Sequence, residues 1–132
     1  MEKIMIGKCC KVGYLPEAHC VEIEWSDMPP SEDFRKGCNT VLELLQKHKT
    51  SKVLVDNTHV KLFKVADQQW LNQEWLPRAE KAGYRISATV IGDTDAFVKF
   101  AAKNIAEKRD HSKFVSQFFK TKNEAINWLK SI

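Results

Sequence analysis

Apolar residues along this chain recur with two alternating rhythms, a period of about two and a period of about three to four, and that alternation predicts the architecture. Residues 4–12 and 20–25 read as two half-buried strands, joined through the turn Gly13-Tyr14-Leu15-Pro16-Glu17 into a hairpin. Setting Cys10 opposite Cys20 places Lys8 against Glu22. Met5, Cys9, Val21, Ile23 and Trp25 then share the core side. Met28-Pro29-Pro30 breaks the chain, and Ser31 caps a helix with Glu32 and Asp33 in its first turn. Its inner stripe is Phe34, Cys38, Val41, Leu45 and His48, spaced for about 100° per residue.

Val53-Leu54-Val55 is a continuous apolar run ending at Asp56, as expected of a central strand covered on both faces. A loop over residues 57–64 follows. The stretch Asp67 to Asp93 is the richest in signals. Asp67 caps a helix whose stripe is Leu71, Trp75, Ala79 and Ala82, with Trp70 at its edge. Pro77 has no N–H to give, so the helix kinks or restarts near 76–77, and Gly83 ends it. Arg85 to Ile91 is another central strand. Gly92-Asp93 leads into a helix over 94–109 with Phe97, Val98, Ala101 and Ile105 inward and Phe100 to one side. Phe114–Phe119 is the last strand. Thr121 and Glu124 form a capping box before a helix with Ala125, Ile126, Leu129 and Ile132 inward. The order ββαβαβαβα predicts one α/β domain over 1–132. Its sheet is mixed, largely parallel and five-stranded, with an N-terminal hairpin, right-handed crossovers and about four helices.

Composition adds little to this frame. A chain of 132 residues can bury a core without staples. No stretch has the roughly 18 apolar residues of a membrane span, and the first residues do not read as a signal peptide. The expected compartment is the cytoplasm, with Cys9, Cys10, Cys20 and Cys38 mostly reduced. Residues 97–132 hold eight basic and three acidic side chains, a net of +5, against thirteen and fourteen, a net of −1, in 1–96, so the last third carries the chain's positive charge. Those lysines are spread as on a solvated helix face, without the aromatic partners of a nucleic-acid binder, and no nucleic-acid partner is expected.

Function in such a sheet concentrates at the carboxyl ends of its strands. Those ends carry Asp56, Asn57, Thr58 and His59, then Gly92, Asp93, Thr94 and Asp95, then Lys120 and Thr121. Asp56, Thr94 and Lys120 imitate part of an aspartyl-phosphate receiver, but the acidic pair that would hold magnesium is missing. The simpler reading has Asp93 and Thr121 capping helices. No nucleophile elbow, phosphate loop, dinucleotide fingerprint or zinc motif occurs, so no catalytic residue, metal or cofactor is assigned. Strand alternation sends Cys9 and Cys10 to opposite faces, which argues against a zinc site with His19 and Cys20. A redox pair of Cys10 and Cys20 competes with two unrelated strand cysteines. Trp70, Phe100 and Trp128 lie off their helices' stripes and together would form an apolar interaction patch.

The element order resembles the SpoIIAA-like proteins of the STAS superfamily, the small bacterial chains of STAS/SEC14 type. So do Trp70-Leu71, Trp75-Leu76-Pro77 and the run Ala82-Gly83-Tyr84-Arg85-Ile86-Ser87-Ala88-Thr89-Val90. The ending Phe118-Phe119-Lys120-Thr121 with Glu124 to Leu129 is similar too. The resemblance implies a βα superhelix and a non-enzymatic, regulatory role in protein interaction or ligand sensing, often as a homodimer. In anti-sigma-factor antagonists of this superfamily a phosphorylated hydroxyl follows the strand matching Val53–Asp56. Thr58 is the hydroxyl in that place here, without the usual sequence around it. The expected function is therefore non-catalytic protein binding. The alternative is a small-molecule site, lipid-like or nucleotide-like, with Asp56–His59 and Gly92–Asp95 at its mouth and Trp70 nearby.

Overall fold

The computed structural model describes residues 3–92 and 96–132. Six strands form one sheet in sequential order: β1 (Lys3–Ile6), β2 (Cys10–Leu15), β3 (Cys20–Asp27), β4 (Lys52–Val60), β5 (Ile86–Val90) and β6 (Val115–Phe119). The first three pair antiparallel and the last four run parallel. The expected mixed α/β architecture is therefore present. The sixth strand arises because Gly7, at φ +62°, turns the chain and divides the stretch read as a single first strand. The predicted cap Asp93, the strand-end residues Thr94 and Asp95, and the side chain of Phe97 lie outside the described residues.

The hairpin register differs from the sequence reading. Gly13 and Tyr14 stay within β2, and the reversal falls at the turn Pro16–Ala18. Cys20 consequently pairs with Leu15, and Cys10 with Trp25. Cys10 joins the core under the crossover helices while Cys20 joins the core on the opposite face, so the two thiols cannot bridge. All four cysteines are free. Met5 is 57% exposed, and Ile6 occupies the core in its stead. Lys8 lies in the turn between β1 and β2, and Glu22 finds other partners.

The crossovers are α1 (Ser31–His48), α2 (Val65–Trp70) continued by α3 (Leu76–Lys81), and α4 (Ala96–Glu107). All pack on one face of the sheet, where Val12, Val21, Ile23, Trp25 and Val53 meet Phe34, Val41, Leu45 and Trp75. The opposite face receives one helix, α5 (Lys122–Lys130), which buries Ala125 and Leu129 against Leu54, Ala88 and Val90. Its N-cap is the expected one. The Thr121 side chain accepts from the Glu124 N–H at 3.3 Å and donates to the Glu124 carboxylate at 2.9 Å. Ile132, read as inward, is half exposed beyond the helix end.

Two further readings change. β4 does not stop at Asp56 but runs to Val60, paired with β3 alone through a register shift between Glu24 and Ser26. The helix after it starts at Val65, and Asp67 is a buried first-turn residue whose carboxylate accepts from the Ser31 hydroxyl at 2.9 Å. Pro77 acts as expected. The turn before it, Leu71–Trp75, widens to the π form, and regular helix resumes at Leu76.

Gly37 sets how closely α1 approaches the sheet. A Cβ there would stand 2.8 Å from the Cys10 sulfur and 2.9 Å from the Trp25 ring. Gly37→Val overfills that contact and is expected to cost about 2–3 kcal/mol, read as a lower midpoint in urea unfolding. An unchanged midpoint would show that α1 is free to shift outward.

Candidate functional site

β5 lies between two strands and two helical layers, where apolar side chains on both faces are the rule. Its sequence is instead Ile86-Ser87-Ala88-Thr89-Val90. Ala88 and Val90 turn to the α5 face, with Ile86 half-buried beside them, while Ser87 and Thr89 turn to the crossover helices. There they lie beside Asn57 of β4 and Ser116 of β6. Ser87, Thr89 and Asn57 are 4%, 8% and 4% exposed. The two serine hydroxyls bond each other at 3.1 Å. Asn57 is not satisfied: its Oδ1 is buried and accepts no hydrogen bond.

Above this polar floor α4 contributes small side chains, Ala102 and Ala106, along with Ile105. Small residues on both sides cannot meet, and a cavity of about 100 Å³ remains between sheet and helices. Its other walls are apolar, among them Trp25, Phe34, Leu71, Trp75 and Phe118. That volume suits a body of about benzene size and is too small for a nucleotide.

Arg109, just beyond α4, forms part of the wall. Its Nε–H donates to Asn72 Oδ1 at 3.2 Å and an Nη1–H to the Tyr84 hydroxyl at 2.8 Å, with the guanidinium 5.6 Å from the Tyr84 ring centroid. Asn72 also donates to the Ile105 carbonyl at 3.0 Å, so the wide turn Leu71–Trp75 holds the end of α4. Among the described residues Arg109 meets only neutral acceptors. The Cys38 thiol is in the same wall, and burial pushes it well above the ordinary thiol range. Burial likewise pushes Cys10 and Cys20 up to about 12, so none of the three offers a thiolate nucleophile at neutral pH.

The residues singled out at the strand ends separate. Asn57 enters the cavity. Asp56 and Thr58, one position away on either side, turn to the opposite face. There Asp56 Oδ1 accepts from the Thr58 amide at 3.0 Å and from its hydroxyl at 2.6 Å. Thr58 lies inside β4, well before the next helix at Val65, and packs near Gly92. His59 is exposed and lines a surface groove with Lys8, Lys11 and Cys9. Trp70 sits on the rim of the core, edge-on to Phe34 at 6.3 Å and covered by Arg35 at 5.2 Å. Asp93 lies outside the described residues. Trp128 packs on Phe119 across the sheet from Trp70, so the off-stripe aromatics make no single patch. Ser87, Thr89, Ser116 and Arg109 were not singled out from sequence. The legible sign was two hydroxyls alternating into a strand that should be apolar on both faces.

On the α5 face, two cations bind three carboxylates. Lys122 Nζ lies 2.6 Å from Glu22, 2.8 Å from Glu24 and 3.4 Å from Asp56, and Lys3 Nζ lies 2.5 Å from Glu24 and 3.5 Å from Glu22. A lysine in the first turn of a helix opposes the helix dipole. The carboxylates outweigh that cost. Burial alone would raise the Glu24 carboxyl, but the lysine hydrogen bonds and charges override it and hold it at about 2. Lys122 is raised above its ordinary range by Glu22 and Glu24, against the lowering by burial. With both Asp56 oxygens engaged, this cluster is a clasp between β1, β3, β4 and α5.

The chain has the SpoIIAA-like, or STAS, fold. The anti-sigma factor antagonist SpoIIAA in its unphosphorylated form superposes with a TM-score of 0.62 at 10% identity, over 93% of this chain and 99% of that one. A DUF3478-family protein from Shewanella loihica, described as uncharacterized with a SpoIIAA-like fold, gives 0.63 at 16% identity, over 98% of each chain. At such identities the likeness is one of fold. No family model matches the chain, and no curated protein does.

The clasp has a defined pH signature. Glu24 is depressed in the folded state, so its contribution is full above the ordinary carboxyl value of 4.5 and is lost as pH falls from there toward 2. Lys122 is raised, so its contribution is full below the ordinary 10.5 and is lost only as pH rises beyond that value. Lys122→Met is therefore expected to lower stability through the neutral range. The gap from the parent should close as urea unfolding is repeated from pH 5 down to pH 2. A gap independent of pH would assign the loss to packing of the lysine stem.

Proposed function

We propose that this chain is a non-catalytic regulatory domain of the SpoIIAA-like type whose input is a small, mostly apolar molecule held between the sheet and α4. Its output is a contact with a protein partner. The observation that carries this reading is the buried Asn57 Oδ1, which accepts no hydrogen bond, on the polar floor of a cavity whose other walls are mostly apolar. A buried amide without a partner costs about 1–3 kcal/mol, and a site tuned only for stability would hold a leucine there. Ligand pockets combine apolar walls with a few convergent polar groups in this way.

The output side rests on exposed apolar residues. Phe100 on α4 is 70% exposed and Val65 at the start of α2 is 67% exposed, both on elements that adjoin the cavity. They suit a partner surface or a second copy of the chain, and we propose a homodimer. Four free cysteines fit a reducing compartment, and we place the protein in the cytoplasm. Thr58 as a phosphorylated hydroxyl is a weaker reading, since its oxygen is committed to Asp56 from within a strand.

Asn57→Leu tests the site. It removes the unpaired amide, so the melting midpoint should rise, by about 1–3 kcal/mol of stability. Hexan-1-ol, whose hydroxyl can donate to Asn57, should raise the parent's midpoint in a thermal-shift titration and raise the variant's less. A destabilised variant, together with no response of the parent to hexan-1-ol, would remove the ligand reading and leave protein contact alone.

A further inference from the structure

We infer that the molecule the cavity takes is a small monocarboxylate with an apolar body, and that Arg109 is the residue that selects its charge. This rests on the ligand reading above and goes further by naming the chemistry of the anionic end.

Arg109 is half-buried at the cavity wall, yet among the described residues no carboxylate faces it. Its two partners, Asn72 Oδ1 at 3.2 Å and the Tyr84 hydroxyl at 2.8 Å, are neutral. A guanidinium is a fork of five donors, and these two bonds fix its plane while leaving donors over. Tyr84 is itself 3% exposed and stacks under the guanidinium, so the fork is aimed by buried structure. A cation partly withdrawn from water and lacking a counter-charge is costly, and the cost is recovered when an anion arrives.

The surrounding space has the shape such an anion needs. The inner cavity is apolar apart from its polar floor and the Arg109 wall. A second hollow of about 410 Å³ shares Ala106, Ser116 and Phe118 with it and is lined also by Lys103 and His111, with Glu107 its one acid. A ligand entering there passes mostly cationic or neutral groups before its body reaches the apolar end. The size of the inner cavity limits that body to roughly six carbons or one aromatic ring. A carboxylate matches the planar fork of an arginine, and one carboxylate answers one arginine. Asn57, deeper in the sheet, is left to meet any hydroxyl or amide on the body.

The test is a titration calorimetry comparison on the full chain with hexanoate, hexanamide and hexan-1-ol at pH 7. These share a chain length and differ in charge and hydrogen bonding. Hexanoate is expected to bind roughly ten- to a hundredfold more tightly than the two neutral molecules, the range of one charge-assisted contact. Arg109→Gln should bring hexanoate to the level of the neutral molecules, a loss much larger than any change in hexan-1-ol. The comparison on the unaltered chain stands even if that variant folds poorly. If all three bind equally, or if the preference survives in Arg109→Gln, the assignment to Arg109 is overturned while the cavity reading stands. If none binds, the ligand reading fails and this inference with it.

Discussion

The structure depends on β4 being covered on both faces. Its alternate side chains serve two cores at once: Val53, Val55 and Asn57 under the crossover helices, Leu54, Asp56 and Thr58 toward the α5 face. Two of the three parallel pairings are made by this strand, with β3 on one side and β5 on the other. A slip of one residue would exchange Leu54, fully buried, with Val53 and would throw Asp56 into the apolar core. The register is therefore held by charge as well as by packing, since Lys122 can reach Asp56, Glu24 and Glu22 together only in this alignment. The same alternation delivers Asn57 to the cavity while its two neighbours face away.

Most of the framework was legible because it follows from local rules. The breaks at Met28-Pro29-Pro30 and Gly83, the stripe of α1, the interruption before Pro77 and the cap at Thr121 each need only a few neighbouring residues. The N-terminal strands were less legible. Whether Gly13 closes a turn or continues β2 depends on pairing with β1, which forms only after Gly7 reverses the chain. A shift of the turn by a few residues moved Cys10 from Cys20 to Trp25. The end of β4 was lost for a similar reason. Residues 57–60 alternate too irregularly to read as a strand, and they are held by β3 across a bulge.

The site was half legible. Asn57 is legible as a strand-end residue, but so are Asp56, Thr58 and His59, and only strand alternation divides them between two faces. The missed residues, Ser87, Thr89, Ser116 and Arg109, carry no motif. Their meaning comes from what packs above them, and a helix of alanines over a floor of hydroxyls is visible only once α4 is placed. Local consistency fails at this point: a central strand with buried hydroxyls, a buried Asn57 Oδ1 left unpaired, and an arginine facing neutral acceptors. Where α1 meets the sheet the packing is close, as the approach of Gly37 to Cys10 and Trp25 shows. A gap left among polar groups in an otherwise filled core is a feature that binding explains and folding does not.

The most direct test of that claim is a crystal of the protein pressurised with xenon, which reports whether an apolar body can occupy the gap. The account predicts xenon density between Ala106 of α4 and the Asn57–Ser87–Thr89 floor, without displacement of β4 or β5. A core closed over that floor, with α4 seated on Ser87 and Thr89 and no xenon between them, would contradict it.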